Sequence, residues 1–182
     1  MKKNNIFRMT TISMLLIGLL MAAPAFSQNS KEKDLIEDSR NAQAEFVKSD
    51  SLMQSLFTNS YAYVIFPNVG KGAIGIGGAA GNGIVFQGGT PIGSAKMKQV
   101  SIGFQFGGQT YREVIFFENE AALDRFKQDK FEFAAQASAV AVTKGASTNV
   151  KYRDGVMVFT QEKKGLMYEA SIGGQKFSYA SF

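Results

Sequence analysis

The sequence predicts an α+β protein: a curved antiparallel β-sheet closing toward a barrel, with N-terminal helices and one helix inserted near 119–128. Three observations carry that prediction. Residues 61–87, YAYVIFPNVGKGAIGIGGAAGNGIVFQ, hold an apolar run closed by Pro67, a glycine-dense alternating stretch and a second apolar run. Of the 19 glycines, thirteen lie between Gly70 and Gly108. Glycine weakens a strand and packs nothing, so this density signals tight bends, bulges or the close approach of another backbone or a ligand. Downstream, the apolar runs are short and separated by tight-turn chemistry, which favours an antiparallel meander.

A chain of 182 residues with 45% hydrophobic and 19% charged residues is one domain's worth and can bury a core without staples. Lys2, Lys3 and Arg8 precede an uncharged run from Met9 to Ser27, apolar from roughly Met14 to Ala23, and Ala25-Phe26-Ser27 supplies small residues for cleavage. Residues 1–27 therefore read as a signal peptide cut before Gln28, leaving a single domain over 28–182 in an exported, periplasmic or extracellular protein. The apolar centre is short for a membrane span. The formal charge is +5, but the leader holds three cations and no acid, so 17 basic face 15 acidic residues in the remainder, or +2. Nucleic-acid binding thereby loses its compositional argument. With no cysteine and no histidine, thiol nucleophiles, imidazole triads and Cys/His zinc sites are excluded.

Residues 30–58 form the helical segment. SKEKDLIEDSRNAQAEFVK carries Leu35, Ala42 and Phe46 on one stripe, with Ile36, Gln43 and Val47 beside it. Ser49 or Asp50 can cap a second short helix bearing Leu52, Met53, Leu56 and Phe57. From residue 61 to 182 the chain is mainly β. Gly88-Gly89-Thr90-Pro91 reads as a turn, and residues 90–98 as a loop bearing Lys96 and Lys98. Val100, Ile102, Phe104 and Phe106 alternate with Ser101, Gly103, Gln105 and Gly107, and TYREVIFF at 110–117 is a further strand. Gly107-Gly108 between them marks a hairpin or a sharp bend. Asn119-Glu120 opens a helix to about Gln128, with Ala122, Leu123 and Phe126 inward. FEFAAQASAVAV at 131–142 is open between strand and helix, because alanine suits both. After a loop at 144–148, short strands follow near 149–153, 155–161, 166–172 and 176–179, with Asp154-Gly155, Lys163-Lys164-Gly165 and Gly173-Gly174 as turns.

The series Phe66-Pro67, Val69, Lys71-Gly72, Gly75-Ile76-Gly77-Gly78 and Gly81-Asn82-Gly83 resembles the SYLF domain, a lipid-binding and, in eukaryotes, actin-regulating module. The resemblance continues in Ser101-Ile102-Gly103-Phe104-Gln105, Gly107-Gly108-Gln109 and Lys164-Gly165-Leu166, and so spans nearly the whole chain after the leader. It makes Phe66, Pro67, Gly70, Gly72, Gly75, Gly77, Gly78, Gly81 and Gly83 the structural motif, and it favours strand for 131–142. Lipid contact is implied as a class and is associated with the family's N-terminal helical part. Here Asp34, Glu37, Asp38 and Glu45 against Lys31, Lys33, Arg40 and Lys48 suit a helix packed on a sheet better than one lying on a membrane. Phosphoinositide and actin binding belong to eukaryotic members, and actin is not expected as a partner of a chain with this leader.

Gly70, Gly72 and Gly75 fit G-x-G-x-x-G, but Ile74, Ile76 and Gly77-Gly78 continue as strand where a pyrophosphate needs a helix N-terminus, so no nucleotide is expected. Glu113 shares a face with Tyr111, Ile115 and Phe117, where a carboxylate would be pushed toward its neutral form, yet no second carboxylate joins it. Ser101, Ser138 and Ser171 lack a nucleophile elbow and a histidine base. No calcium-type ladder of acidic residues occurs. Catalysis, cofactors and metals are therefore not expected. Lys71, Lys96, Lys98, Arg112, Lys163 and Lys164 lie in or near turns, with Phe66, Phe86 and Tyr168 close in sequence. A cation near an anionic membrane contributes about 1 kcal/mol. Alone these residues read as scattered solvated charges, and the resemblance makes them lipid-binding candidates. The expected function is an exported, non-enzymatic domain that binds anionic phospholipid or an acyl ligand at a membrane surface. The alternative is a structural or protein-interaction module of the cell envelope without a lipid ligand.

Overall fold

The computed structural model describes residues 24–74, 76–101, 109–129, 131–133, 138–163 and 169–182. The chain divides at Asp34 into two units. Among its described residues the first is helical from Pro24 onward; the second, Leu35–Phe182, contains the sheet. Helix α1 runs Pro24–Ser49 and α2 Met53–Asn59. The first helix thus starts before residue 30, with proline at its first position, where a missing amide costs no hydrogen bond. The signal-peptide reading otherwise rests on residues 1–23, outside the described residues. Among the described residues, no helix is long and apolar enough to cross a membrane.

The strands are β1 Ala62–Ile74, β2 Ile76–Gln87, β3 Thr90–Ser101, β4 Gln109–Phe117, β5 Ser138–Ala141, β6 Val156–Glu162, β7 Glu169–Ser171 and β8 Gln175–Ser181; α3, Glu120–Lys127, follows β4. They form one sheet in the order β7-β5-β6-β4-β1-β2-β3-β8. The fold is α+β, as expected, with antiparallel pairing everywhere except between β5 and β6, which run parallel. Only β1, β2 and β3 make a meander, because β4 returns to the other edge of β1.

The sheet does not close, but it curls far toward closure. The outermost strands β7 and β8 are joined by residues 172–174 alone. Four residue steps reach at most about 14 Å, whereas a flat sheet would hold those strands about 34 Å apart. A contact across the interior agrees: Gln175 on β8 donates through Nε2 to Glu113 Oε2 on β4 at 3.0 Å, although three strands lie between them in the sheet.

Each face carries its own core. The inner face, with Val64, Phe66, Val69, Met97, Ile115 and Phe177, packs with Ala122, Leu123 and Phe126 of α3. The Asn119 side chain accepts from the Ala122 amide at 3.0 Å and so caps that helix. On the outer face Tyr63, Ile65, Ile84, Phe86, Val114, Phe116 and Phe159 lie under Ala42 and Phe46 of α1 and Met53 and Phe57 of α2. The stripe read on the first helix is therefore spent on the sheet. Between the helices the Asp50 carboxylate, only 2% exposed, accepts from the Leu52 amide at 3.2 Å, the Ser147 amide at 3.0 Å and the Ser147 hydroxyl at 2.7 Å.

Several expectations are corrected. Residues 90–98 are strand, not loop, because Gly93, Ala95, Met97 and Gln99 point inward and are buried although only two of them are apolar. No strand occupies 149–153. Ala146–Asn149 is a 3-10 turn entered through Gly145 at φ 79°, and Arg153 only bridges to Val156 across the Asp154-Gly155 turn. Of 131–142, Ser138–Ala141 is strand, while Glu132 bridges separately to Lys176 of β8. The alternation at 102–108, the stretch 134–137 and residues 164–168 fall outside the described residues.

Among the described residues, no strand glycine takes a left-handed φ. Among the described glycines, left-handed φ values occur at Gly88, Gly89, Gly145, Gly155 and Gly174, none of which is in β1 or β2. What matters is close approach. A Cβ at Gly83 would stand 2.5 Å from the Ile65 carbonyl oxygen and 2.7 Å from Phe66 Cδ1, opposite the bulge between Ile65 and Asn68.

Candidate functional site

Helices cover one end of the outer face and leave the other bare. In register, Lys98 faces Ala80, Ala80 faces Gly70, and Gly70 faces Thr110. The row continues where the Lys163 amide donates to the Thr110 carbonyl at 3.1 Å. A second row runs Lys96, Asn82, Asn68 and ends beside Arg112, which faces Gln161. Lys96, Lys98, Ala80, Asn82, Asn68, Gly70, Thr110 and Lys163 are exposed, while Arg112 and Gln161 are half-buried. Four strand spacings make the platform about 19 Å wide, with small or polar side chains in the middle and cations on both rims.

The two rims differ. On the β3 side Lys98 pairs in register with Lys176 of β8, a cation not singled out from the sequence; Lys176 Nζ lies 3.5 Å from Glu132. On the β4 side the polar groups interlock. Arg112 Nη1 donates to Gln161 Oε1 at 3.1 Å, and Gln161 Nε2 donates to the Glu45 carbonyl at 3.1 Å and to Ser49 Oγ at 2.5 Å. Lys163 Nζ donates to Asn68 Oδ1. Burial, with the charge of Arg112 added, holds the Lys163 ammonium below the usual lysine range, and Asp38 opposes that shift.

Of the candidates named from sequence, Lys96, Lys98, Arg112 and Lys163 therefore share one face. Lys71 sits in β1 with its backbone paired to Ala79 and Gln109, and Lys164 lies outside the described residues. Phe66 and Pro67 are buried at the β1 bulge; Gly70 and Gly72 follow in β1, and Gly77, Gly78, Gly81 and Gly83 are in β2. Gly75 lies outside the described residues.

A second polar group is sealed inside the curl. Glu113 and Gln175 are both 0% exposed, and Gln99 donates through Nε2 to the Gly173 carbonyl at 3.0 Å. Tyr111 and Thr160 are buried on the same inner face. Burial, with the nearby Glu113 charge, pushes the Tyr111 phenol far up, partly offset by a hydrogen bond with Gln175. Glu113 does sit among apolar neighbours, as its alternation indicated, in an interior crowded with aromatics: Phe66, Phe126, Phe131 and Phe133 all have ring centroids 5.2–6.0 Å from that of Phe177.

Comparison with known proteins bears on residues 98–181, which match the family model described as Las17-binding protein actin regulator (Ysc84). The match includes the Ser101–Gln109 and Lys164–Leu166 motifs and does not extend to the Phe66–Gly83 series. "Beta cell expansion factor A" of Aeromonas veronii is 32% identical over 82 residues, which is 45% of this chain and 31% of that protein. The chain thus matches about a third of the length of this curated relative. The family match thus falls on residues 98–181, the stretch supplying β4, β6, β8 and half of the basic platform, and over that stretch the chain is similar to the Las17-binding protein actin regulators.

Proposed function

We propose that this is an exported, non-enzymatic domain that binds anionic phospholipid surfaces peripherally through the bare end of its outer sheet face. The observation that carries this reading is the strand register, which brings Lys96, Lys98 and Lys176 onto the same exposed face as Arg112 and Lys163 with nothing bulky between them. Polar and cationic, such a face suits a headgroup layer. Five cations at about 1 kcal/mol each supply at most about 5 kcal/mol at low salt, enough for reversible association. An acyl chain finds less support, since interior aromatic rings pack on one another. No cofactor, nucleotide or nucleic acid enters this reading, and actin is not a proposed partner.

Co-sedimentation of the chain with anionic and zwitterionic vesicles across a salt series tests it. Binding should favour anionic vesicles, weaken with salt, and fall about fivefold for each of Lys96→Ala and Lys98→Ala. Equal, salt-insensitive retention on both vesicles would reject it. The family description, which concerns binding and regulating proteins, favours as second reading a protein-interaction module of the cell envelope using the same platform. Loss of vesicle binding without loss of fold would leave that reading standing.

A further inference from the structure

The β4 rim of the platform has a feature that general attraction to a membrane does not require. Arg112 and Gln161 face each other across β4 and β6, and Lys163 lies two residues farther along the same face. Such diagonal neighbours are about 7–8 Å apart, within reach of long side chains. Two cations are thus held side by side, and each is hydrogen-bonded to a neutral amide: Arg112 to Gln161, Lys163 to Asn68. Among the described residues the ion pairs within 4 Å are Lys48–Glu45 and Lys176–Glu132, so neither Arg112 nor Lys163 is in direct contact with a carboxylate, and the Asp38 charge on α1 only partly offsets that of Lys163. Gln161 is itself fixed by the Glu45 carbonyl and Ser49 hydroxyl, which turns its side-chain oxygen toward the guanidinium and sets the Arg112 rotamer. One guanidinium N–H is so engaged, and the fork keeps further donors for a ligand.

From this arrangement the geometry points to an oxyanion site at Arg112 and Lys163, positioned by Gln161 and Asn68, that takes the dianionic phosphate of a monoester or of inorganic phosphate. A guanidinium fork beside an ammonium matches phosphate oxygens in geometry, and one dianion balances both charges. A phosphodiester headgroup carries a single charge and leaves one cation uncompensated. The Lys163 ammonium, held down by burial first and by the Arg112 charge second, is consistent with this, because a dianion would offset the Arg112 part. The site refines the surface-binding reading above, but its first test needs no membrane.

The test titrates the full chain with inorganic phosphate at constant ionic strength, using chloride as control and following the Arg112 Nε and Lys163 Cε resonances. Saturable shifts of both, with the Lys163 titration moving up in pH, are expected. Arg112→Gln and Lys163→Gln should each weaken the response about tenfold, as for a lost charge-assisted contact, while Lys151→Gln, at an exposed position outside the platform, leaves it within about twofold. Arg112→Lys, which keeps the charge and loses the fork, should recover only part of the affinity. A parallel arm compares vesicles of phosphatidic acid with vesicles of phosphatidylglycerol at matched surface charge. Preference for the monoester lipid, abolished by Arg112→Gln, supports a headgroup as the source. Phosphate shifts without vesicle binding support a free phosphate and reject the membrane reading. Vesicle binding that ignores both headgroup and Arg112→Gln, with no phosphate response, overturns the site and leaves the membrane reading intact.

Discussion

Replacing Gly83 with alanine asks why this sheet is rich in glycine. The new methyl would lie 2.5 Å from the Ile65 carbonyl oxygen and 2.7 Å from Phe66 Cδ1. One obstacle is backbone at a bulge and the other a fully buried ring, so neither yields cheaply. Overpacking of this kind costs about 1–3 kcal/mol. Gly70 is the internal control: nothing stands within 4 Å of a Cβ placed there, and its φ is not left-handed. Gly70→Ala should therefore be neutral or stabilise by about 0.4–1 kcal/mol through the unfolded chain. At about 2–4 °C per kcal/mol for a chain of this size, the two variants should differ in Tm by roughly 2–16 °C. Thermal and urea unfolding followed by far-ultraviolet circular dichroism would measure the gap. Equal destabilisation of both variants would mean that glycine is needed for backbone conformation, and an unaffected Gly83→Ala would refute the close-approach account.

Asp50 and Gln175 give two further expectations. Burial opposes ionisation of Asp50, but the hydroxyl and amide of Ser147 and the Leu52 amide win and hold its carboxyl below the usual aspartate value. Its folded pKa is depressed, so its contribution is present above the ordinary aspartate pKa of about 3.9 and is lost as pH falls through the lower folded value. Asp50→Asn should cost about 1.5–3 kcal/mol at neutral pH and flatten the acid limb of urea midpoints plotted against pH; an acid limb unchanged in the variant would count against this carboxylate as its cause. Gln175→Leu removes the amide that donates to Glu113 and should cost about 1.5–3 kcal/mol by urea unfolding. A neutral result there would mean that the Glu113–Gln175 contact contributes nothing to holding the curled sheet.

The elements legible in the sequence were those whose local pattern and tertiary role agree. On α3, Asn119 caps and Ala122, Leu123 and Phe126 face inward, so capping and periodicity pointed the same way. β4 read as strand because over Val114, Ile115, Phe116 and Phe117 both its faces are apolar and both are covered. β3 was misread because its inward set includes Gly93 and Gln99, which suit a tightly curled interior but look like loop. Lysines at alternate positions in it were an unused sign of a strand with one wet face. At the candidate site, four cations of the right kind were identifiable singly, yet Arg112 and Lys163 meet only through the β4–β6 register. Asn68, 95 residues from Lys163, left no local trace. Nor did the clasp of Asp50 on Ser147, 97 residues away.

The three-residue link between β7 and β8 makes the final strand the closing stave of the structure. Gln99 and Gln175 are 76 residues apart in sequence, and joining such distant partners is slow because loop closure precedes any compensating contact. Until residues 175–181 arrive, β3 is an open edge whose unpaired amides and carbonyls can recruit a second unfinished chain. Removal of residues 175–181 should therefore yield aggregates rather than a slightly smaller monomer.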